Sequence, residues 1–382
     1  MSGARLRITH IVDSIAEEAS GPSYSVPSLC AGLAARECDV RLLTIGPDLV
    51  EMRAGFEHRR CAQDFARAPL LGKLRLSRTL RGEIAKRADV LHTHGVWLMA
   101  NIYPAWEAKR TGAPFLISPR GMLSEAAMQF SGLRKKAMWE FMQRSAARQA
   151  TCFHATSDDE AQDIRKLGLL QPVAVIPNGV DVPEAAPRIA TARRKLLYLG
   201  RLHAKKGLDR LLKSWSTLEA TFPDWDLEII GPSEHGHVDE LKSLARTLGL
   251  SRVAFPGPLY ADEKRAGYRS AELFVMPTLN ENFGMTVAEA LAVSVPVVCT
   301  KGAPWSGLSE HQCGWWVDGD VEAIAEALRD GMSRPRETLS AMGERGRAWM
   351  LRDFSWAAVA QDMIDVYRWQ LGSGDRPASI RI

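Results

Sequence analysis

Glu281 and Glu289 bracket a short glycine turn in the stretch "NENFGMTVAEAL" (280–291). Carboxylates accept hydrogen bonds from hydroxyls, so two of them held at a fixed separation suit a polyol such as ribose or a sugar ring. Upstream, "YLGRLHAKKGLDRLLKSW" (198–215) places Arg201 and Lys206 on a turn between an apolar run and a helix. A guanidinium, an ammonium and the N–H groups of a helix start make a strong anion site. Lys205 reads as the solvated neighbour. Each piece has a plainer reading. The basic turn could be an ordinary solvated loop, and Thr286-x-x-Glu289 matches a capping box in which Glu289 serves only backbone donors. Against the capping box, Asn282 and Thr286 compete for the cap, and Gly284 leaves the turn open to close approach. Together, acids for hydroxyls and bases for a diphosphate follow the order of groups along a sugar nucleotide.

A second set of polar residues lies in the first half. "SGPSYSVPSL" (20–29) opens a helix after the first strand, and the amides near Gly21 either face a ligand or belong to an ordinary loop. The G-x-G-x-x-G fingerprint of dinucleotide enzymes is absent, which argues against a dehydrogenase. In "VLHTHGVWL" (90–98), strand alternation puts His92 and His94 on one face. His94, nearer the carboxyl end, is a candidate to touch sugar or acceptor, or else a satisfied structural histidine. A metal needs more ligands than this pair, and no third is evident. Arg120 in "ISPRGM" (117–122) presents an always-charged fork suited to phosphate or carboxylate. Its alternative is a salt bridge to a neighbouring loop. Two D-x-D strings, Asp224-Trp225-Asp226 and Asp318-Gly319-Asp320, do not read as following a strand as a metal-holding turn should. No metal is expected.

These groups need a scaffold that lines them up at strand ends. Short apolar runs alternate with helix-length segments twice over, which predicts an α/β fold of two doubly wound parallel sheets. The first series is "LRITHIV" (6–12), "VRLLTIG" (40–46), "DVLHTHG" (89–95), "PFLISPRG" (114–121), "CFHATS" (152–157) and "VAVIPNG" (173–179). A Pro/Ala-rich connector over 183–193 follows. The second series is "KLLYLGR" (195–201), "LEIIGP" (227–232), "VAFPGP" (253–258), "LFVMPT" (273–278) and "PVVCT" (296–300). The expected domains are Rossmann-like, 1–185 and 186–361, facing across a cleft, with a helix at about 362–371 packing back onto the first. Ligands of such sheets bind beyond the carboxyl ends of the strands. The tail 372–382 reads as loosely ordered.

Size and composition agree. A chain of 382 residues exceeds one core's comfortable size, and 46% hydrophobic with 25% charged residues is ordinary for a globular protein. The net charge of +4 is too small to imply nucleic-acid binding. Residues 1–190 carry 25 Lys and Arg against 20 Asp and Glu, whereas 191–382 carry 24 against 25. Six cysteines without C-x-x-C spacing read as free thiols in a reducing cytosol. The N-terminus reads as a first strand rather than a signal peptide, and no apolar run reaches the ~18 residues of a spanning helix.

The pattern "GRLHAKKG" followed by "ENFGMTVAEAL" resembles the GT-B retaining glycosyltransferases of family 4. Their E-x7-E signature matches Glu281 and Glu289. The resemblance covers nearly the whole chain, including "PRGML" (119–123) and "IPNGVD" (176–181). It implies that Arg201 and Lys206 hold the donor diphosphate in place of a metal, Glu289 binds the ribose and Glu281 the donor sugar. Asn282, Phe283, Gly284, Met285 and Thr286 would complete the donor pocket, chiefly by their amides. It further implies transfer from a nucleotide-diphosphate sugar to a glycan or lipid-linked glycan, with retention, no cofactor, and a role in surface polysaccharide assembly at the cytoplasmic face. Two departures stand out: a second glycine beside Gly21 is missing, and Arg120 occupies a turn where many members carry histidine.

Loops near Gly231 and Pro258 are placed to meet the base, without distinguishing uracil from guanine. The tryptophans of "KGAPWSGLSEHQCGWWV" (301–317) either shape the far pocket or pack. The basic stretches 72–87 and 132–148 are solvated helix faces or contacts with an anionic membrane. A non-catalytic sugar-nucleotide sensor and, against the E-x7-E pattern, an epimerase are the competing functions.

Overall fold

In the computed structural model, which describes residues 5–16, 21–46, 53, 55–68, 71–86, 88–125, 127, 138–234 and 236–382, strand and helix alternate from Arg7 onward. Parts of the expected membrane-contact stretch 132–148, and Arg87 of the stretch 72–87, lie outside the described residues. The chain divides into two compact units, Met1–Gly179 with Trp356–Ile382, and Val180–Ser355. These bounds differ by a few residues from the expected 185/186 and 361/362.

The first unit is built on β1 (Arg7–Val12), β2 (Asp39–Thr44), β3 (Glu57–Arg60), β4 (Val90–His94), β5 (Phe115–Ser118), β6 (Cys152–Ala155) and β7 (Val173–Val175). The sheet order is Ile380–Arg381, β7, β6, β5, β4, β1, β2, β3. All pairs are parallel except the C-terminal strand, which runs antiparallel to β7. Burial on both faces explains why the central strands read as continuous apolar runs. β4 and β5 are buried at every position. Register sets His10 of β1 beside His92 of β4, and His94 beside Ser118 of β5. The helices Gly21–Ala34 and Trp356–Gln370 share a core with one face of this sheet, in which Tyr367 is fully buried.

The expectation of a loosely ordered tail is corrected here. Ile380 is buried and pairs with Ala174, so an apolar residue beyond the Gly/Ser/Pro stretch ties the end down. β3 was not read because "EHRR" carries no apolar pattern; it is an edge strand whose charges face water.

The second unit holds β8 (Arg194–Leu199), β9 (Trp225–Ile230), β10 (Val253–Gly257), β11 (Leu273–Met276), β12 (Val297–Thr300) and β13 (Gly314–Val317). The order is β10, β9, β8, β11, β12, β13, all parallel. Central β8 and β11 thus bring the turn after residue 199 next to the loop after residue 276. All six cysteines are free and buried. No helix among the described residues is long and apolar enough to cross a membrane.

Candidate active site

In the second unit the turn after β8 and the loop after β11 are laced together. Leu279 N donates to Lys205 O (2.9 Å), and Thr278 Oγ1 to the same carbonyl (3.3 Å). Gly207 closes the turn at φ 66°, and a Cβ there would sit 2.1 Å from Pro277 O, so only glycine lets these segments meet. Lys206 Nζ consequently donates to Glu281 Oε2. Arg201 is exposed and donates through Nη1 to Glu234 Oε1 (2.7 Å). Glu234 belongs to the "GPSEHG" loop expected near the base; His235 there lies outside the described residues.

The helix Met285–Ala292 starts at Gly284, whose φ of 83° turns the chain and whose side has no room for a Cβ without pressing Met276 Cε and Trp305 Nε1, both at 3.2 Å. No side chain caps this helix. The capping-box alternative therefore fails: Glu289 Oε1 accepts from Lys264 Nζ (2.7 Å) and Oε2 from the Tyr268 hydroxyl (2.7 Å). Burial, then the charge of Glu289, pushes the Tyr268 phenol well above its usual range, so it remains a donor. Thr286 Oγ1 points to Met276 Sδ at 3.9 Å. Phe283 is buried, and its carbonyl accepts from Trp305 Nε1 (2.5 Å). Trp305 thus braces the signature turn, and Trp316 donates to Ala303 O (2.8 Å). For those two tryptophans packing is the observed role. Met285 is half-buried at the helix start, and Asn282 sits on the turn before it.

The D-x-D strings need one correction. Asp318-Gly319-Asp320 does follow a strand, β13, contrary to the sequence reading; "GWWV" is only half-buried and shows itself as a strand through its pairing with β12. Asp318 pairs with Lys301 (3.0 Å), Asp320 caps the helix Val321–Ser333 through Ala323 N (2.9 Å), and Asp226 pairs with Arg193 (2.8 Å).

In the first unit the structure adds residues that sequence reasoning missed. The pair His92 and His94 gains His10 and, through Ser118, His154. Two hydrogen-bonded chains follow, and their sense is fixed by groups that can act one way only. The Ile176 carbonyl accepts from His154 Nε2 (2.9 Å), so His154 Nδ1 accepts from the Ser118 hydroxyl (2.8 Å). Ser118 in turn accepts from His92 Nε2 (2.7 Å), leaving His92 Nδ1 to accept from the Tyr367 hydroxyl (2.7 Å). In the other chain Arg120 Nη2 donates to His94 Nδ1 (3.2 Å), so His94 Nε2 donates to His10 Nδ1 (2.9 Å). His10 Nε2 then carries a proton and has no partner among the described residues. Both nitrogens of His94 are engaged and its side chain is buried, so here it holds Arg120 and does not present a free nitrogen. Arg120 Nη1 also donates to Asn178 Oδ1 on the loop after β7. Among the described residues the salt-bridge alternative for Arg120 does not form. Gly21 begins the helix Gly21–Ala34, exposed, with open space at its Cβ position; Ser20 lies outside the described residues.

His10, His92 and His94 place ligand-type atoms within 4.8 Å of one another, so the third histidine that the sequence did not show does exist. Their proton positions do not suit a metal. His94 has no bare nitrogen while Arg120 donates to it, and the adjacent guanidinium repels a cation. Burial holds His10 and His154 at about 3, and His92 and His94 well below their ordinary 6.5. The sign follows: unfolded imidazoles take up protons below about 6.5 that the folded ones refuse, so stability is full above that pH and is lost on acidification. Each proton refused costs about 1.4 kcal/mol per pH unit. Urea midpoints should therefore drop steeply between about pH 6.5 and 5, more than in a His10→Asn variant. Midpoints that stay level over that range would contradict the buried neutral cluster.

Residues 184–349 match the family described as "Glycosyl transferases group 1", and residues 20–179 match "Glycosyl transferase 4-like domain". The chain belongs to the group 1 glycosyl transferases. It is 28% identical over 402 aligned residues to the D-inositol 3-phosphate glycosyltransferase of Thermomonospora curvata, covering 92% of this chain and 90% of that one. It is 34% identical over 203 residues to the GDP-mannose-dependent alpha-(1-6)-phosphatidylinositol monomannoside mannosyltransferase of Mycolicibacterium smegmatis, covering 47% and 52%. Among solved structures it is similar in fold to Anabaena HepE in complex with UDP (TM-score 0.73, 17% identity, 94% and 99% covered). The sucrose-phosphate synthase of Thermosynechococcus elongatus is also similar in fold (TM-score 0.72, 21% identity, 97% and 100% covered). The two parallel-sheet, Rossmann-like units are those of a GT-B glycosyltransferase. As a glycosyltransferase the chain is an enzyme, and the sensor and epimerase readings fall away.

Proposed function

We propose that this glycosyltransferase moves a hexosyl group from a nucleotide-diphosphate sugar to a glycan or lipid-linked glycan, with retention and without a metal, in surface polysaccharide assembly. The observation that carries it is the meeting of Lys206 with Glu281 at the carboxyl edge of β8 and β11, in the second unit. A cation for the diphosphate and an acid for the sugar are brought within contact by the fold, where open α/β sheets take ligands. The relatives' names support the reading, since one acts on D-inositol 3-phosphate and another uses GDP-mannose.

In this scheme Arg201 leaves Glu234 to join Lys206 on the diphosphate. As the anomeric bond breaks, negative charge builds on the leaving group. A unit-charge contact at ~4 Å is worth on the order of 4 kcal/mol at an effective dielectric near 20. Fixed cations aimed at that charge lower the barrier without metal help. Glu281 accepts from the donor sugar's hydroxyls and Glu289 from the ribose, while the amides of Phe283, Gly284, Met285 and Thr286, with Asn282, enclose the phosphates. In the first unit the helix start at Gly21 offers amides to a substrate, Arg120 contacts an anionic substrate group, and His94 positions Arg120. The leaving phosphate takes the acceptor's proton in same-face attack. The protein works in the cytoplasm, meeting an anionic membrane through its basic stretches 72–87 and 132–148.

Proton NMR of the product anomer, run with EDTA present and with neutral or anionic liposomes, tests this. Expected are the donor's own anomeric configuration, undiminished turnover in EDTA and sedimentation with anionic liposomes only. An inverted product, EDTA-abolished turnover or equal sedimentation strikes out the corresponding part.

A further inference from the structure

Among the described residues Arg120 is a cation without a counter-ion. It follows β5, with His94 at the end of β4 and Asn178 after β7, so all three stand at the carboxyl edge of the first sheet. Both groups that accept from it, Asn178 Oδ1 and His94 Nδ1, are neutral. Its Nε is out of solvent and has no partner among the described residues. No carboxylate among the described residues lies within ion-pair distance of it. Glu160, whose charge does reach it, spends its oxygens on Gly121 N (2.6 Å), Thr156 N (2.7 Å) and Thr156 Oγ1 (2.9 Å).

The backbone at Arg120 adds a further cost. Its φ of 57° lies in the left-handed region that a non-glycine residue adopts only under constraint. Such strain, together with a desolvated charge and an orphaned N–H, persists where surroundings or a ligand compensate it. Burial lowers the guanidinium to about 10, so it stays charged at neutral pH while the histidines around it are neutral. The residue is nevertheless only half-buried, which leaves it within reach of a ligand.

We propose that Arg120 is the receptor for a phosphate or carboxylate carried by the acceptor, with Asn178 and His94 as the residues that position its fork. A guanidinium offers paired N–H donors in the geometry of a phosphate edge, and the unpartnered Nε supplies one of them. The donor's diphosphate is already provided for by Arg201 and Lys206 in the other unit, which leaves the Arg120 charge for the second substrate. The anion site stands on the first unit alone; naming its ligand the acceptor rests on the transfer reading above.

The test follows the Arg120 Nε–H signal by NMR in the full chain labelled with nitrogen-15, titrated with inorganic phosphate and, separately, with UDP and GDP. Phosphate should move the signal saturably and the nucleotides should not. Arg120→Gln should weaken phosphate binding by about tenfold or more, as loss of one partner of a desolvated charge pair does. Asn178→Asp supplies the missing carboxylate internally. It should keep or raise the unfolding midpoint while weakening phosphate binding by a similar factor. No response to phosphate, or unchanged phosphate affinity in Asn178→Asp, overturns the site. If the signal follows nucleotides and Arg120→Gln weakens them equally, the anion is the donor's and the acceptor assignment is overturned. Phosphate bound at Arg120 with no nucleotide bound anywhere would support the site and contradict the transfer reading instead, so the two failures are distinguishable.

Discussion

Lys206→Ala lowers the turnover number by on the order of 10²–10³, the cost of removing one preorganised partner of transition-state charge. The effect falls on kcat more than on KM, because the charge on the leaving diphosphate is larger in the transition state than in the bound donor. The turn itself survives the change. Gly207 and the bonds from Leu279 and Thr278 to Lys205 O shape it, and none involves the Lys206 side chain. The unfolding midpoint should therefore stay close to that of the wild type. Lys206→Arg, which keeps the charge, should recover part of the loss. Steady-state kinetics beside a thermal melt read both quantities. A turnover number within about threefold of wild type removes Lys206 from the chemistry.

Glu289→Ala loses donor affinity and stability together, and Glu289→Gln separates the two. The alanine leaves the buried Tyr268 hydroxyl without its acceptor, at about 1–3 kcal/mol. Loss of the partly exposed Lys264 pair adds less than about 1 kcal/mol. Bonds from ribose hydroxyls to a carboxylate are worth about 1.5–3 kcal/mol each, so donor binding weakens by roughly ten- to a hundredfold. Glutamine keeps an acceptor for Tyr268 and should restore most of the melting temperature. Its weaker neutral oxygen leaves donor binding impaired. Calorimetric titration of donor nucleotide into both variants, beside urea unfolding, checks this. Wild-type donor affinity in Glu289→Gln would end the ribose role.

What the sequence made legible was local. The apolar runs that became β1, β4, β5, β8, β11 and β12 are short, unbroken and flanked by turn residues, so each announces itself. Arg201, Lys206 and Glu281 sit on strand-to-helix turns and Glu289 inside the helix that follows, and the alternation of strands and helices puts them near one edge. Residues that serve the site across long separations stayed hidden. His10 lies in the middle of β1, where only the pairing of β1 with β4 reveals that it meets His94. Tyr367 reaches His92 across 275 positions. Asn178 reads as part of a turn, and nothing near it in sequence points to Arg120. Lys264 and Tyr268 read as one face of an ordinary amphipathic helix, yet they decide that Glu289 is no capping residue. The third histidine, the strand before Asp318 and the buried Ile380 were missed for the same reason, since each depends on which strand lies alongside.

The central claim, that Arg201 and Lys206 hold a nucleoside diphosphate, is tested most directly by melting the wild type and an Arg201→Ala, Lys206→Ala double variant with UDP or GDP. A ligand at about 100 times its Kd stabilises the native state by roughly 2.7 kcal/mol. One of the two nucleotides should raise the wild-type melting temperature by several degrees and leave the double variant almost unmoved. Equal shifts in both proteins would show that the diphosphate is held elsewhere.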